Sequence, residues 1–384
     1  MCMTILLFSE TTTECVHAIF PKSMEMESHT ITFSFAVFRN AYNRARAAQM
    51  FPDEALDDFV HNRLFKEHTY GYNPRGLWNE ILSGVRGHMV KFYNSWYQPS
   101  NGRVFCYGAP KFVNACLDAV DEAVTRKLED QAKKTEEAGG VSVLDELGLS
   151  LPEDSKVGFK MLNTIKSVEE RVAYPSFEET FDFRLSISWV LNDKPMDQRT
   201  EIAWHLIYEM LIGSATATIA KELEVLGDDY IAKLDNSLQQ WVMTMGVSGL
   251  PTEAAAGEAR TKIINKLADI SQNGFDREAM AAALNKVEFM LRDLNSKDGS
   301  PQGVHMFKKV MRKWNYDLDP TLALTLTEEF KTLRAQLEDP DNLEGMEFIL
   351  ELMTKGLSDN TAQAIAKLFP SAEMQLSAER VSSD

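Results

Sequence analysis

The clearest alternation of apolar and polar side chains in the chain runs from Phe181 to Leu191. Apolar residues occupy every second position, and Asp182, Arg184 and two serines stand between them. Successive side chains of a strand point to opposite faces of a sheet, so the pattern predicts a strand with one face in the core. Similar patterns predict three further strands, at 29–37, 103–107 and 241–247.

Apolar residues at helical spacing predict the remaining elements. From Met280 to Leu294 they recur at every third or fourth position, and Asp276 before them is suited to cap the helix. A second amphipathic stretch ends at Asp319-Pro320, because the residue before a proline is disfavoured in a helix. We expect the first of these two helices to lie across the sheet. Further helices are predicted at 53–65, 77–97, 111–138, 197–212, 219–226, 252–272, 322–337 and 343–355.

Strands and paired helices occur in the same order twice along the chain. This order predicts an α+β fold, with a largely antiparallel sheet in each domain and helices packed on one face. A charge run, Gly139-Gly140 and Pro152 mark a linker between the domains. The predicted divisions are a disordered leader, a first domain, the linker, a second domain and a tail, at 1–28, 29–130, 131–175, 176–370 and 371–384.

Length and charge narrow the functional classes. The chain has 384 residues, enough for two domains of ordinary size, and a formal net charge of −17 at pH 7. That charge argues against a nucleic-acid backbone as the partner. It suits basic ligands such as Arg-rich peptides, although an acidic surface also serves solubility alone.

Cysteine usage and hydropathy bear on the compartment. Cys2, Cys15, Cys106 and Cys116 show no metal-binding spacing, which favours a reduced intracellular environment. No apolar run approaches the roughly 20 residues of a membrane-spanning helix, so no membrane span is expected. The first arginine is Arg39, and the stretch before it shows neither a signal peptide nor an Arg-rich transit peptide.

The order of residues in several stretches resembles one family. The stretches are Leu64–Gly71, Trp96–Gly108, Ser188–Pro195, Met210–Gly213, Asn285–Asn295, Pro301–Gly303 and Lys313–Pro320. They resemble the presequence proteases, which are zinc metallopeptidases of the pitrilysin or inverted-zincin type. The resemblance covers about residues 40–110 and 180–356, and the linker differs from the family.

The resemblance implies a fold and an activity. It implies that both domains are pitrilysin-like α/β domains and that the first is incomplete. In the family, two such domains make up one half of the protein, and two halves close around a chamber. Family members degrade short unfolded peptides, usually targeting presequences in mitochondria or plastids. A mitochondrial or plastid location is therefore expected from the resemblance alone.

The zinc site implied by the family is missing from the sequence. The family binds zinc through H-x-x-E-H and a downstream glutamate, but no H-x-x-E-H occurs here. The stretch most similar to this motif ends in Glu67-His68, but it has Leu64 at the first ligand position. We interpret the Glu67-His68 dipeptide as structural. We interpret His61 as a surface or core residue. An ungapped count from His68 places Arg44 at the downstream ligand position, and a guanidinium cannot bind a metal. We therefore predict no catalytic, metal-binding or cofactor-binding residue in this chain.

Three functions remain open from the sequence. The chain is either part of a presequence-protease-like zinc metalloendopeptidase, inactive by itself, or a non-catalytic family member that binds peptides or assists assembly. A structural role unrelated to peptides is the third. The expected partners are extended basic peptides, a second copy of the chain or a missing second half. Nucleic acid is not among them.

Overall fold

The structure is a computed structural model that describes separate parts of the chain. The described residues are 3–7, 43, 51–66, 69–71, 102–137, 167–175, 182–214, 216–292, 302–314, 316, 318–358, 361 and 363–371. The predicted strand at 29–37 and the predicted helix at 77–97 lie outside these residues.

The described residues form strands and helices in mixed order. The strands are β1 (Met3–Leu7), β2 (Gly102–Cys106), β3 (Val168–Pro175), β4 (Phe183–Val190), β5 (Asp229–Asp235), β6 (Val242–Leu250) and β7 (Gln363–Ser371). The α-helices are α1 (Pro52–Leu64), α2 (Pro110–Glu137), α3 (Gln198–Leu211), α4 (Thr218–Leu223), α5 (Glu253–Asn273), α6 (Arg277–Arg292), α7 (Gln302–Trp314), α8 (Leu326–Glu338) and α9 (Glu344–Gly356). Short 3-10 helices span Thr69–Gly71 and Pro320–Leu324.

The chain divides into two compact units. The first contains β1, β2, α2 and α7. Its two strands pair in parallel, from Met3 opposite Gly102 to Leu7 opposite Cys106. β1 thus lies within residues 1–28, which were predicted as a disordered leader, and the structure differs here because this stretch pairs with β2.

A small apolar cluster supports the first unit. Cys116 of α2 is buried at its centre, and Val104, Cys106 and Phe112 pack around it. Burial disfavours the thiolate and, together with the nearby Cys116, raises the pKa of Cys106. Neither cysteine forms a disulfide, and both pack as small apolar residues in this cluster.

The second unit is built on a five-stranded sheet in the order β3-β7-β4-β6-β5. β4, the strand predicted from the alternating pattern, is central and pairs antiparallel with both β6 and β7. β5 and β6 are also antiparallel, and only the pairing of β3 with β7 is parallel. The predicted α+β fold with a largely antiparallel sheet is confirmed.

One face of this sheet carries most of the helices. Leu185, Ile187 and Trp189 of β4 point into an apolar core that also contains Trp204 of α3 and Phe330 of α8. Helix α5 lies directly on β4 and β6, whereas α6 packs mainly against α3 and α8. The expectation that the helix after Asp276 crosses the sheet is therefore wrong, because its apolar stripe is covered by other helices.

Side-chain caps fix the start of several helices in this layer. The Asp197 carboxylate accepts a hydrogen bond from the backbone N–H of Thr200 at 2.7 Å, and Asp276 accepts one from Ala279 at 3.1 Å. Each cap satisfies an N–H that has no partner within the helix. Both helix starts agree with the predicted boundaries to within one residue.

The opposite face of the sheet is covered by α1. The sequence analysis placed this helix in the first domain, but it belongs to the second compact unit and packs on β3, β4 and β7. β3 forms from residues predicted as linker, and β7 follows the last predicted helix, in a stretch where no strand was predicted. The sequence analysis missed β3 because three consecutive charged residues, Glu169, Glu170 and Arg171, interrupt any alternation of apolar side chains.

Candidate functional site

The residues singled out for the zinc site mostly fall outside the described parts of the chain. This holds for Arg44, Glu67 and His68, so the structure places none of the three. Among the residues that are described, no three His, Cys, Asp or Glu side chains lie close enough to hold a metal ion. The described residues therefore do not fit a zinc site, and no reaction step is derived through one.

Leu64 has a packing role at the end of α1. Its side chain is almost fully buried, next to Phe65, in a cluster that also includes Phe59 and Val60 of the same helix. These apolar side chains reach the sheet because they share one face of α1. Leu64 thus helps hold the helix on the sheet.

The sheet surface beneath α1 is lined with small side chains. Ser186 and Ser188 of β4 and Ala364 and Ala366 of β7 are fully buried there. The Ser188 and Thr244 hydroxyls lie 2.8 Å apart and form a hydrogen bond between β4 and β6. Larger strand side chains, among them Tyr174 and Leu368, pack in the same cluster as the apolar side chains of α1.

Ion pairs fix both sides of α1 to the edge strands of the sheet. On one side, Arg63 donates two hydrogen bonds, each 2.8 Å long, to the Glu170 carboxylate of β3. On the other side, the Lys233 ammonium of β5 lies 2.6 Å from the Asp57 carboxylate. Through the Glu170 pair, the pKa of Arg63 is raised and that of Glu170 is lowered. α1 is thus held between the two outermost described strands.

Two further ion pairs lie at the ends of the helix. Near its start, Asp53 accepts a hydrogen bond of 3.0 Å from Arg184 of β4. Near its end, Nε2 of His61 lies 3.4 Å from a carboxylate oxygen of Asp235 on β5. Acidic residues in the first turn and basic residues in the last turn also match the direction of the helix dipole.

Asp235 is the most perturbed acid in this region. Burial opposes its negative charge, but hydrogen bonds from His61 and Ser237 and the charge of Lys233 outweigh that cost and hold the pKa of Asp235 below its ordinary value. Its carboxylate is therefore ionised at neutral pH.

Asp235, His61 and Ser237 do not form a nucleophilic triad. The Ser237 hydroxyl donates to the Asp235 carboxylate at 2.6 Å. In a triad the serine donates to the histidine and the aspartate orients that histidine, so a serine bonded to the aspartate has no base to activate it. The arrangement therefore does not support acyl transfer.

These contacts were not predictable from the sequence. The partners of Arg63, Arg184 and Lys233 lie 107, 131 and 176 positions away along the chain. No periodicity connects residues at such separations. His61 was predicted to be a surface or core histidine; its ring is largely buried and pairs with Asp235.

Comparison with known proteins finds relatives among the presequence proteases. The chain is 25% identical over 352 residues to "Presequence protease 1, chloroplastic/mitochondrial" of Arabidopsis thaliana, covering 90% of this chain and 30% of that protein. It is 22% identical over 352 residues to "Presequence protease, mitochondrial" of Danio rerio, covering 90% and 32%. The chain is thus similar to the presequence proteases over most of its own length. It spans about a third of the length of these relatives.

A solved structure shows that the pitrilysin-type fold is shared. A peptidase M16 inactive domain from Pseudomonas fluorescens superposes with a TM-score of 0.61 at 13% identity, over 89% of this chain and 71% of that chain. At such low identity the likeness concerns the fold alone. No protein-family profile matches the chain. None of the described helices is long and apolar enough to cross a membrane.

Proposed function

We propose that this chain is part of a presequence-protease-like zinc metalloendopeptidase that degrades short unfolded peptides, and that the chain alone does not cleave them. The observation that carries the proposal is a pitrilysin-type fold combined with a sequence that has no H-x-x-E-H. Arg44 at the implied downstream ligand position supports it, because a permanent cation repels zinc. The names of the relatives suggest a mitochondrial or plastid location for the assembled enzyme.

Peptide hydrolysis and metal content test this proposal together. Purified chain is incubated with an unfolded basic peptide, with and without a chelator, and a presequence protease serves as the positive control. We expect intact peptide by mass spectrometry and no stoichiometric zinc by elemental analysis. Cleavage that the chelator abolishes, or one tightly bound zinc that is lost when His61 or His68 is replaced, would contradict the proposal.

A second candidate function is peptide binding without cleavage. Within the described residues, the edge strands β3 and β5 each pair with a single neighbouring strand. An extended peptide can satisfy the remaining backbone groups of such a strand by adding to the sheet. The net charge of −17 favours basic peptides through long-range attraction. The same edges can pair with a second copy of the chain or with a missing half, so self-association competes with the ligand.

Titration with a labelled Arg-rich peptide tests this second function. We expect measurable affinity at low salt that weakens as salt rises, since exposed charges are screened within about 8 Å at physiological ionic strength. A peptide of the same length with glutamate in place of arginine is the matched control and should not bind. Equal binding of both peptides, or no binding at low salt, would exclude the proposed role. Sedimentation at several concentrations shows whether self-association accounts for any weak signal.

A further inference from the structure

The two cysteines of the first unit lie on facing surfaces of β2 and α2. In β2, Val104 and Cys106 are two positions apart, so their side chains leave the strand on the same face. In α2, Phe112, Cys116 and Val120 are spaced four apart and form one stripe of the helix. All five side chains pack in one small apolar cluster. The period of the strand and the period of the helix therefore bring both thiols into the same contact.

Distances along the chain place the two thiols at the same level. Ala109 ends the turn between β2 and α2, and Cys106 precedes it by three residues, which is about 10 Å at the rise of a strand. Cys116 follows it by seven residues, which is also about 10 Å at the rise of a helix. The same comparison pairs Gly108 with Phe112, and a Cβ atom at Gly108 would lie 2.7 Å from Cδ1 of Phe112. Cys106 and Cys116 are the next pair along from the turn.

We propose that Cys106 and Cys116 form an oxidation site, at which a peroxide joins β2 to α2 through a reversible disulfide. Cysteine side chains are short, and their mutual contact brings the Cα atoms close to the spacing of about 4.4–6.8 Å that a disulfide requires. Neither cysteine is in a disulfide in the structure, which therefore shows the reduced form of the site. This inference is independent of the proposed peptidase function.

The exposure of the two thiols sets the order of the reaction. Cys116 is 3% exposed, whereas Cys106 is partly exposed, so hydrogen peroxide reaches Cys106 first. The Cys106 thiolate attacks one peroxide oxygen, the O–O bond breaks, and a sulfenic acid and one water form. The Cys116 thiolate then attacks the sulfenic sulfur and expels its oxygen as a second water. Two thiols are oxidised, one peroxide is reduced, and both thiol protons end in the two waters.

The apolar surroundings of the site make the reaction slow at neutral pH. Burial, together with the nearby Cys116, raises the pKa of Cys106, so the thiol keeps its proton near pH 7. The thiolate is the nucleophile, so the rate of oxidation should rise with pH. The rise should continue above the ordinary cysteine pKa of about 8.5. The site therefore responds to sustained exposure to peroxide, and the reduced form persists without it.

The disulfide fastens α2 on the two-stranded sheet. It joins the last residue of β2, Cys106, to the second turn of α2, which contains Cys116. A crosslink restricts the opened chain more than the packed one, so it favours the packed state. We therefore expect amides in the first turns of α2 to exchange about tenfold or more slowly in the oxidised chain than in the reduced chain.

Peptide mapping of the full chain tests the proposal. The chain is treated with hydrogen peroxide at about pH 8, where the thiolate begins to form, then alkylated and digested with trypsin without a reducing agent. Cleavage after Arg103, Lys111 and Arg126 places Cys106 and Cys116 in separate peptides. We expect these two peptides to be linked, to be two hydrogens lighter than their sum, and to separate on reduction.

The same map contains the results that would overturn the proposal. Recovery of Cys106 and Cys116 in alkylated form, or as irreversibly oxidised acids, excludes the site. A disulfide from either one to Cys2 or Cys15 in place of the linked pair also excludes it. Hydrogen exchange measures the fastening, with β4 amides as the reference, and unchanged exchange of α2 after complete crosslinking contradicts it.

The Cys116→Ser variant is the matched control, because it keeps the more exposed thiol and removes its partner. Peroxide should then leave a sulfenic acid at Cys106, which dimedone labels, and no linked peptides. The unmodified chain should be labelled less under the same treatment, since Cys116 consumes the sulfenic acid. Equal labelling with and without Cys116 contradicts the proposal. If the variant fails to fold, the peptide map of the unmodified chain decides by itself.

Discussion

The two faces of the five-stranded sheet are covered in different ways. On the helical face, large strand side chains such as Trp189 and Met245 interlock with Trp204 and Phe330 of the helices. On the α1 face, a smaller cluster beneath a single helix combines Ala364 and Ala366 with larger strand side chains such as Tyr174 and Leu368. Ion pairs at both edges of the sheet then fasten that helix.

The difference separates two sources of stability. Burial of apolar surface contributes about 25 cal/mol per Å² and depends little on charge. An ion pair between partly exposed side chains contributes about 0.2–1 kcal/mol and weakens in salt. The helical face should therefore set the stability of the whole unit, whereas the α1 face should open locally and respond to salt.

The largest expected effect tests the helical face. Leu284 of α6 is 1% exposed and lies within the main core. Its replacement by alanine leaves a cavity that the neighbouring helices cannot fill, so we expect a loss of about 2–5 kcal/mol in the free energy of unfolding. Denaturant unfolding followed by circular dichroism measures this loss.

Phe289 on the same helix is the matched control. It is 66% exposed, so Phe289→Ala should change the free energy of unfolding by less than about 0.5 kcal/mol. An effect of Leu284→Ala as small as that of the control would show that α6 is not docked in the core.

A second, smaller effect tests how tightly the same face is packed. A Cβ atom at Gly356 of α9 would lie 2.5 Å from Cη2 of Trp204, which is fully buried. We expect Gly356→Ala to destabilise the chain by about 1–3 kcal/mol through overpacking, despite the better helix propensity of alanine. Calorimetric or denaturant measurement of the unfolding free energy detects this change.

Gly257 provides the opposite case. It lies within α5, and a Cβ atom there would meet nothing within 4 Å. Gly257→Ala should therefore stabilise the chain by about 0.5–1 kcal/mol, because only the helix propensity changes. Stabilisation by both substitutions would mean that the contact between α9 and Trp204 is loose.

Local patterns explain which parts of the fold could be predicted. β4 and the helices of the second unit carry strong periodicity, and caps such as Asp197 and Thr252 mark helix starts within a few residues. β3 and β5 carry many polar side chains because they are edge strands, so their patterns are weak. β7 follows α8 and α9 in the chain, and its small residues Ala364 and Ala366 lie in the cluster beneath α1.

Contacts between distant segments explain what the sequence could not provide. α1 was assigned to the first domain by its position in the chain, but its apolar stripe and its charges match the sheet of the second unit. The composition showed that acidic residues outnumber basic ones, but it did not show which acidic residues have ion-pair partners. His61 was predicted to be a surface or core residue, and its partner Asp235 is a residue that no motif marks.

The smallest expected effect distinguishes the two faces most directly. Asp57 and Lys233 are 40% and 42% exposed, so their pair should contribute only about 0.2–1 kcal/mol to the docking of α1. A double-mutant cycle with Asp57→Asn and Lys233→Met, measured by hydrogen exchange of α1 amides, isolates this coupling. We expect the coupling to fall as salt rises, because exposed charges are screened. The cost of Leu284→Ala should stay constant over the same salt range. A coupling unaffected by salt would mean that α1 is held by packing alone, as the helices on the other face are.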